Sequence, residues 1–202
     1  MTLIRIPVMA LANGYSLVEL TFALGLVTTL SGIAIPQMLA GIDDYRTAGA
    51  VRYMSTRIGR VRMEALVRSA NVALRFSAIP AGFSYTTYVD GNGDGVKTHD
   101  IGLSIDWPLS PAERLSDNFA GIDFGVLPGL PPVDSGSAPP GTDPIKLGTS
   151  NLLSFSPMGT SSTGSLYIRG RGTAQYVIRV MGETGRVHVL KFNARTRQWK
   201  PL

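Results

Sequence analysis

The stretch ANGYSLVELTFALGLVTTLSGIAIPQM, residues 12–38, dictates the architecture of the N-terminal part of this chain. It contains one carboxylate, Glu19, and no charged residue follows until Asp43. Residues 17–35 are long enough for a membrane span, because about 20 apolar residues at ~1.5 Å each cross a hydrocarbon layer ~30 Å thick. A charge at the edge of such a segment is costly in lipid unless it has a partner. The pattern therefore predicts a membrane-spanning helix and leaves Glu19 to be explained.

The N-terminal segment has two simple interpretations. A secretory signal peptide would use ALA at 10–12 as its cleavage site, but the longer apolar stretch follows that site instead of preceding it. A plain transmembrane anchor fits the length, and Arg5 on one side with Asp43 and Asp44 on the other favours a cytoplasmic N-terminus. Neither interpretation gives Glu19 a role.

A third interpretation comes from G-Y-S-L-V-E at 14–19, which runs directly into the apolar segment. This junction resembles the class III leader junction of type IV pilins and type II secretion pseudopilins. The resemblance implies that a prepilin peptidase cleaves between Gly14 and Tyr15, which removes residues 1–14 as a leader, and methylates the new amine on Tyr15. Tyr15 stands where the family more often has Phe.

Cleavage at this junction would give Glu19 a partner. The new amine on Tyr15 is about one helical turn from the Glu19 carboxylate, which also lies near the positive end of the helix dipole. When subunits pack side by side, the amine of one can pair with Glu19 of its neighbour, and each charge offsets the cost of the other. Glu19 is therefore predicted to act in assembly and register. The alternative is a chance interfacial Glu on an anchor.

Pro36 lies within the same segment. A proline inside a helix removes one backbone hydrogen bond and clashes with the carbonyl four residues back, here that of Gly32, itself a weak helix former. We expect a point at which the helix kinks or locally unwinds, and pilin-like proteins commonly carry a proline at this distance from the cut. The alternative is that Pro36 ends the membrane span.

Beyond Pro36 the pattern becomes amphipathic. Apolar residues recur at spacings of 3, 4, 3 and 4 and so share one helical face; they are Val51, Met54, Ile58, Val61 and Ala65. Arginines occupy the other faces, which we interpret as a solvated side in preference to a nucleic-acid patch. The predicted organisation is an apolar transmembrane and assembly helix at 15–42, an amphipathic stem at 43–70 and a β-rich globular domain at 71–202.

From residue 71 the hydrophobic period shifts toward two. The predicted strands are 71–79, 83–89, 102–107, 152–156, 165–170, 175–181 and 186–192. GETG at 182–185 is typical of a tight hairpin turn, and the absence of βαβ alternation favours antiparallel sheets. Residues 127–150, rich in Pro, Gly and Ser, are predicted to be an exposed loop. The fold class is therefore α+β, with a long N-terminal helix packed on a mainly antiparallel sheet domain.

The C-terminal half carries a second resemblance. FSPMGTSSTGSLYI followed by YVIRVMGETGRVHV, with Phe155, Pro157, Gly159 and Gly-Arg-Val at 185–187, resembles the ending of the GspH/FimT subgroup of minor pseudopilins and pilins. This implies a structural subunit held in the bacterial inner membrane, with its C-terminal domain in the periplasm, that joins a filament of other pilin or pseudopilin subunits. A type II secretion pseudopilus and a type IV pilus fit the sequence equally.

The stretch DGNGDGVKTHD at 90–100 suggests calcium. The candidate ligands are Asp90, Asn92, Asp94 and Asp100. The first three occupy positions one, three and five of an EF-hand-like loop, with Gly95 sixth, but the twelfth position is Ile101. Asx and Gly residues also suit a hairpin tip. We favour the turn over the ion, with Ca²⁺ as the alternative, and predict no other cofactor.

The C-terminus is basic, within a chain of net charge +5. Its charged residues are Arg186, His188, Lys191, Arg195, Arg197 and Lys200, with Trp199 among them. Such a tail can bind DNA through phosphate contacts and stacking, and some FimT-like minor pilins are implicated in DNA uptake. The alternative is a solubilising edge strand and tail.

Catalysis has little support in the sequence. The chain has no cysteine, which excludes a thiol nucleophile, and its histidines are His99 and His188. No nucleophile elbow, P-loop or HExxH motif occurs. We predict that the protein is not an enzyme, with a membrane-anchored periplasmic hydrolase as the remaining alternative.

Overall fold

The structure is a computed structural model that describes residues 14–134 and 136–202. Residues 1–13, which hold most of the predicted leader and ALA at 10–12, lie outside the described residues. The chain forms two compact units, Met1–Ala40 and Gly41–Leu202. The expected α+β class is confirmed, because a long N-terminal helix is followed by antiparallel sheets, against which its second half packs.

Helix α1 covers Leu17–Arg68 and has 52 residues, with Pro36 in its interior. Pro36 therefore does not end the helix. Two short helices follow, α2 (Thr98–Gly102) and α3 (Leu115–Asn118).

The described strands lie between residue 72 and residue 201. In chain order they are β1 (Val72–Ile79), β2 (Gly82–Val89), β3 (Trp107–Pro108), β4 (Glu113–Arg114), β5 (Asp123–Phe124), β6 (Ile145–Lys146), β7 (Leu152–Phe155), β8 (Gly164–Arg169), β9 (Gln175–Met181), β10 (Arg186–Asn193) and β11 (Gln198–Pro201). The first sheet has the order β3-β2-β1-β7, and β4 also pairs with β2. The second has the order β11-β10-β9-β8-β5, and β6 also pairs with β8.

The apolar face of the stem lies in the core of the unit Gly41–Leu202. The five residues predicted to share that face are each at most 4% exposed, and Met54 and Ile58 are completely buried. They pack in one cluster with inward-facing residues of both sheets, including Phe76 and Ile178. Strand alternation explains this contribution, because every second residue of β9 faces the same side.

The predicted strand at 102–107 is wrong. Its first residue ends α2, and only Trp107 and the following Pro108 pair with β2. The carbonyl of Asp100 accepts the N–H groups of Ile105 and Asp106, at 2.9 Å and 3.2 Å, which folds the segment back on the helical turn. Alternating apolar residues there looked like a strand, but local backbone hydrogen bonds determine the conformation.

The segment 127–150 is only partly an exposed loop. It contains β6, and Leu130, Ile145 and Leu147 are buried. The carbonyl of Pro131 accepts the indole N–H of Trp199 at 3.1 Å. Its Pro, Gly and Ser content correctly indicates irregular backbone, but a few apolar residues and carbonyls fasten it to the second sheet.

Gly170, in the turn between β8 and β9, lies at a close approach of the stem to the second sheet. A Cβ atom at this position would lie 2.5 Å from Thr47 Oγ1 and 2.7 Å from Asp43 Oδ2. Both distances are shorter than any real contact to a Cβ, so the turn and the helix can meet here only because residue 170 has no side chain.

We predict that Gly170→Ala destabilises the protein by roughly 1–3 kcal/mol, the usual cost of overpacking a tight contact. Urea unfolding of the detergent-solubilised chain, followed by near-ultraviolet circular dichroism, measures the change. Gly59→Ala is the matched control, since nothing lies within 4 Å of its Cβ position. There the same substitution in an exposed helix should stabilise by up to about 1 kcal/mol. Equal effects at the two positions would contradict the close approach.

Candidate functional site

The apolar part of α1 is uncovered within its own unit. Large side chains between residues 17 and 39 are 49% to 79% exposed. They are Leu17, Val18, Leu20, Phe22, Leu24, Leu26, Val27, Leu30, Ile33, Ile35, Met38 and Leu39. By length and composition the helix qualifies as a membrane span, and none of its most apolar window is buried. An apolar surface this continuous needs lipid or other apolar helices around it.

The threonine hydroxyls in this segment are satisfied by the helix itself. Thr21 Oγ1 donates to the carbonyl of Val18 at 2.9 Å, and Thr29 Oγ1 donates to that of Gly25 at 2.7 Å. Thr28 makes equivalent bonds within the previous turn. Each threonine hydroxyl already donates to a carbonyl of the same helix, so these threonines add little to the free-energy cost of placing the segment in hydrocarbon.

The predicted processing and assembly residues lie at the start of α1. Gly14 and Tyr15 precede the helix in non-helical backbone, and the Tyr15 side chain is 81% exposed. Glu19 lies in the first turn, is exposed, and forms no ion pair within the residues that the structure describes. The first turn thus presents a carboxylate that is available to an external cation.

Ser16 is a functional residue that the sequence reasoning missed. Its Oγ accepts the backbone N–H of Glu19 at 3.1 Å, which makes Ser16 the N-cap of α1. The signal was present in the sequence, because S-L-V-E at 16–19 matches the capping-box pattern S-x-x-E. Glu19 at the third helical position therefore has a second physical role, since an anion there is stabilised by the helix dipole.

Asp43 and Asp44 fasten the beginning of the stem to the second sheet. The Asp43 carboxylate accepts the backbone N–H groups of Arg171 and Gly172, both at 2.9 Å. The Asp44 carboxylate accepts the hydroxyl of Tyr176 at 2.9 Å and Lys191 Nζ at 2.6 Å. In the sequence these aspartates looked like charges flanking a membrane span; the structure gives them specific partners more than 120 residues away.

The second polar contact between helix and sheet centres on Glu113. Its carboxylate accepts the hydroxyls of Tyr53 and Tyr85 and pairs with Arg57. Burial, followed by the contact with Tyr53, raises the pKa of Tyr85. This is the kind of titratable cluster that the enzyme alternative requires, but its members are hydrogen-bonded to one another between α1 and the first sheet, as in a structural network.

The predicted calcium loop is built around Asp90, which is 6% exposed. Its carboxylate accepts Nδ2 of Asn71 at 2.8 Å and the backbone N–H groups of Gly93 and Gly95, both at 2.7 Å. Burial alone would raise the pKa of Asp90, but these hydrogen bonds outweigh it and hold the pKa below its ordinary value. Asp106, which the sequence reasoning missed, accepts the N–H groups at the two ends of the loop, Gly91 and Lys97.

The other proposed calcium ligands have different partners. Asp94 pairs with Lys97 at 2.5 Å, and Asp100 contacts His99 at 3.1 Å. Across residues 14–134 and 136–202, no group of three or more His, Asp or Glu side chains is arranged to hold a metal ion. The contacts of Asp90 are those of an Asx-type turn; binding of Ca²⁺ stays a prediction.

The basic C-terminal residues are not all at one place on the surface, because Arg186 lies at the opposite end of β10 from Arg195 and Arg197. Lys191 is paired with Asp44, and the Arg197 guanidinium donates to the carbonyl of Gly129 at 2.9 Å. Arg186 begins β10, whereas Arg195 follows its other end, so about 25 Å of strand separates them. Lys200 is exposed on β11.

Trp199 is also committed within the fold. Its ring packs against Phe192, with centroids 5.3 Å apart, and against Tyr167 at 6.2 Å. These contacts leave the indole half-buried, so it is poorly placed to stack on a nucleic-acid base.

Comparison with known proteins gives one informative similarity. The chain is 34% identical over 82 residues to the pilin-like protein PilA1 of Thermus thermophilus, a match that covers 41% of this chain and 51% of that protein. The chain thus spans about half the length of this relative. No family profile and no solved structure matches the chain. The similarity supports a pilin-like relationship.

We predict that Asp90→Asn destabilises the protein by about 2–3 kcal/mol, because the amide turns a donor toward groups that themselves donate. The pKa of Asp90 is lowered by folding, so its contribution is present above pH ~4 and is lost as the pH falls through the folded value. The difference in free energy of unfolding between wild type and variant should therefore become smaller as the pH falls. Thermal unfolding of the detergent-solubilised chain between pH 7 and pH 3 measures it.

Asp94→Asn provides the comparison for that experiment. The Asp94 carboxylate is half-exposed and paired with an exposed lysine. The substitution should therefore lower the free energy of unfolding by at most about 1 kcal/mol. A large effect at Asp94 with none at Asp90 would show that the loop is not organised by Asp90.

Proposed function

We propose that this protein is a structural minor subunit of the GspH/FimT type, belonging to a type II secretion pseudopilus or a type IV pilus. A prepilin peptidase cleaves it between Gly14 and Tyr15 and methylates Tyr15. The protein is held in the bacterial inner membrane with the unit Gly41–Leu202 in the periplasm until it joins the filament. The observation that carries the proposal is the uncovered apolar surface of residues 17–39, whose first turn holds Glu19, a carboxylate with no ion pair among residues 14–134 and 136–202.

Assembly follows from the needs of that segment. The apolar side chains lose contact with water whether lipid or neighbouring helices surround them, so transfer from bilayer to filament costs little hydrophobic free energy. The Glu19 carboxylate distinguishes the two environments, because a lone charge in an apolar bundle costs several kcal/mol and the methylated amine of a neighbour removes that cost. Subunits in the correct axial register are therefore selected by charge pairing. The similarity to a pilin-like protein supports the same conclusion.

We predict that the mature protein begins with N-methyl-tyrosine at position 15. Intact-mass and N-terminal peptide mass spectrometry of the membrane-extracted protein, from cells with an active prepilin peptidase, should show loss of residues 1–14 and one added methyl group. Gly14→Ala tests the junction and should leave the leader attached. Retention of residues 1–14 in the wild-type protein would contradict the proposed processing.

We predict that Glu19→Gln is processed normally but enters the filament at least tenfold less often, because the pairing charge is lost. Filaments sheared from cells and probed by immunoblot measure incorporation. Ser16→Ala is the matched control, because it removes the helix cap and keeps the carboxylate. If Ser16→Ala blocks incorporation as strongly while Glu19→Gln does not, helix capping and not charge pairing would be the function of this turn.

A further inference from the structure

Three segments meet at one end of the unit Gly41–Leu202. Asp43 of the stem binds backbone N–H groups of the turn between β8 and β9, at residues 170–174. The register of β9 with β10 places the turn between β10 and β11, at 194–197, at that same end. At the opposite end, a Cβ at Gly185 would lie 3.2 Å from Arg62 Nε, so the turn at 182–185 lies near the C-terminal part of α1.

The end of the unit at which Asp43 meets the turn at 170–174 is rich in exposed arginine. The residues, here called the arginine cluster, are Arg46, Arg169, Arg171, Arg195 and Arg197. None of them forms an ion pair within residues 14–134 and 136–202. Nearby carboxylates have other partners, since Asp43 accepts backbone N–H groups and Asp44 holds Tyr176 and Lys191. Asp123, the strand partner of Arg169, accepts the backbone N–H of Phe124. The positive charge of this end is therefore left largely uncompensated.

The position of the cluster along the chain indicates its partner. Arg46 is the first basic residue after the apolar segment and follows Leu39 by seven residues in the chain. Seven residues reach at most about 25 Å when fully extended, so the chain itself keeps Arg46 within that reach of the segment. A guanidinium group is planar and binds phosphate oxygens in a bidentate manner, and all five members of the cluster are arginine.

We propose that the arginine cluster binds the anionic phosphate head groups of the membrane in which residues 17–39 are anchored. The inference rests on the proposed membrane anchoring and adds a lipid-binding surface to it. It also gives Arg195 and Arg197 a partner other than DNA, for which the sequence had suggested them. Stacking of a DNA base on the neighbouring aromatic ring has little support, because Trp199 already packs on Phe192 and Tyr167.

The absence of cysteine permits a direct test with single labels. The full-length chain carrying Thr196→Cys is labelled with a fluorophore and reconstituted in vesicles that contain a quencher attached to lipid head groups. Adding phosphatidylglycerol to phosphatidylcholine vesicles should increase quenching at position 196, and about 1 M NaCl should reverse the increase, because the screening length falls to about 3 Å. A label at Glu183→Cys, in the turn at the opposite end, should show no such increase.

Substitutions then assign the effect to the cluster. The triple variant Arg46→Gln, Arg171→Gln, Arg195→Gln should weaken head-group association about a hundredfold, at roughly fivefold per arginine. The matched triple variant Arg60→Gln, Arg68→Gln, Arg186→Gln removes three exposed arginines elsewhere and should retain the wild-type response. Equal losses in the two triple variants would overturn the assignment and leave only a general effect of net charge.

Two further measurements separate the competing outcomes. Resistance of the protein to extraction by alkaline carbonate reports the anchor alone, so an extracted protein would refute the anchor and, with it, the membrane contact proposed for the arginines. Duplex DNA added to phosphatidylcholine vesicles at physiological salt tests the alternative partner. A DNA-dependent rise in anisotropy at position 196 that the first triple variant abolishes, without any response to phosphatidylglycerol, would assign the cluster to DNA and overturn the proposal.

Discussion

Burial of one face of the stem is the interaction on which the globular unit depends. Val51, Met54, Ile58 and Ala65 have no exposed surface, and they contact the inner faces of both sheets. Without the helix, each sheet would expose its apolar inner face to water, at a cost of about 25 cal/mol per Å². The sheets and the second half of α1 thus depend on each other for burial, whereas the side chains of residues 17–39 stay exposed.

Polar contacts determine where along the helix this burial occurs. An apolar face alone allows a helix to slide by a turn with a small loss, because hydrophobic contact is not directional. Asp43 and Asp44 accept four donors from the second sheet, and Glu113 receives donors from α1 and the first sheet. These carboxylates are partly buried, so a shift of the helix that broke their hydrogen bonds would lose stability, and the carboxylates therefore favour one axial position.

Periodicity along the chain was sufficient to predict the elements that carry the core. The spacing of Val51 to Ala65 identified the buried stem face, and alternation identified β1, β2 and β7 to β10. Tertiary partners were not predictable in this way. Asp43 and Asp106 owe their roles to backbone N–H groups elsewhere in the chain, and Asp44 owes its role to the side chains of Tyr176 and Lys191. The segment 102–107 folds on local hydrogen bonds that alternation does not reveal. The capping role of Ser16 was predictable from S-x-x-E at 16–19, but the interpretation of that stretch concerned the charge of Glu19 alone.

The N-cap at Ser16 has a consequence for the order of events in maturation. A helix that continued upstream would enclose the Gly14–Tyr15 peptide bond in its first turn, with its amide turned inward. The cap ends α1 just downstream, so Gly14 and Tyr15 lie in non-helical backbone. Under the proposed processing, a peptidase would therefore reach this bond without unwinding the apolar helix that follows.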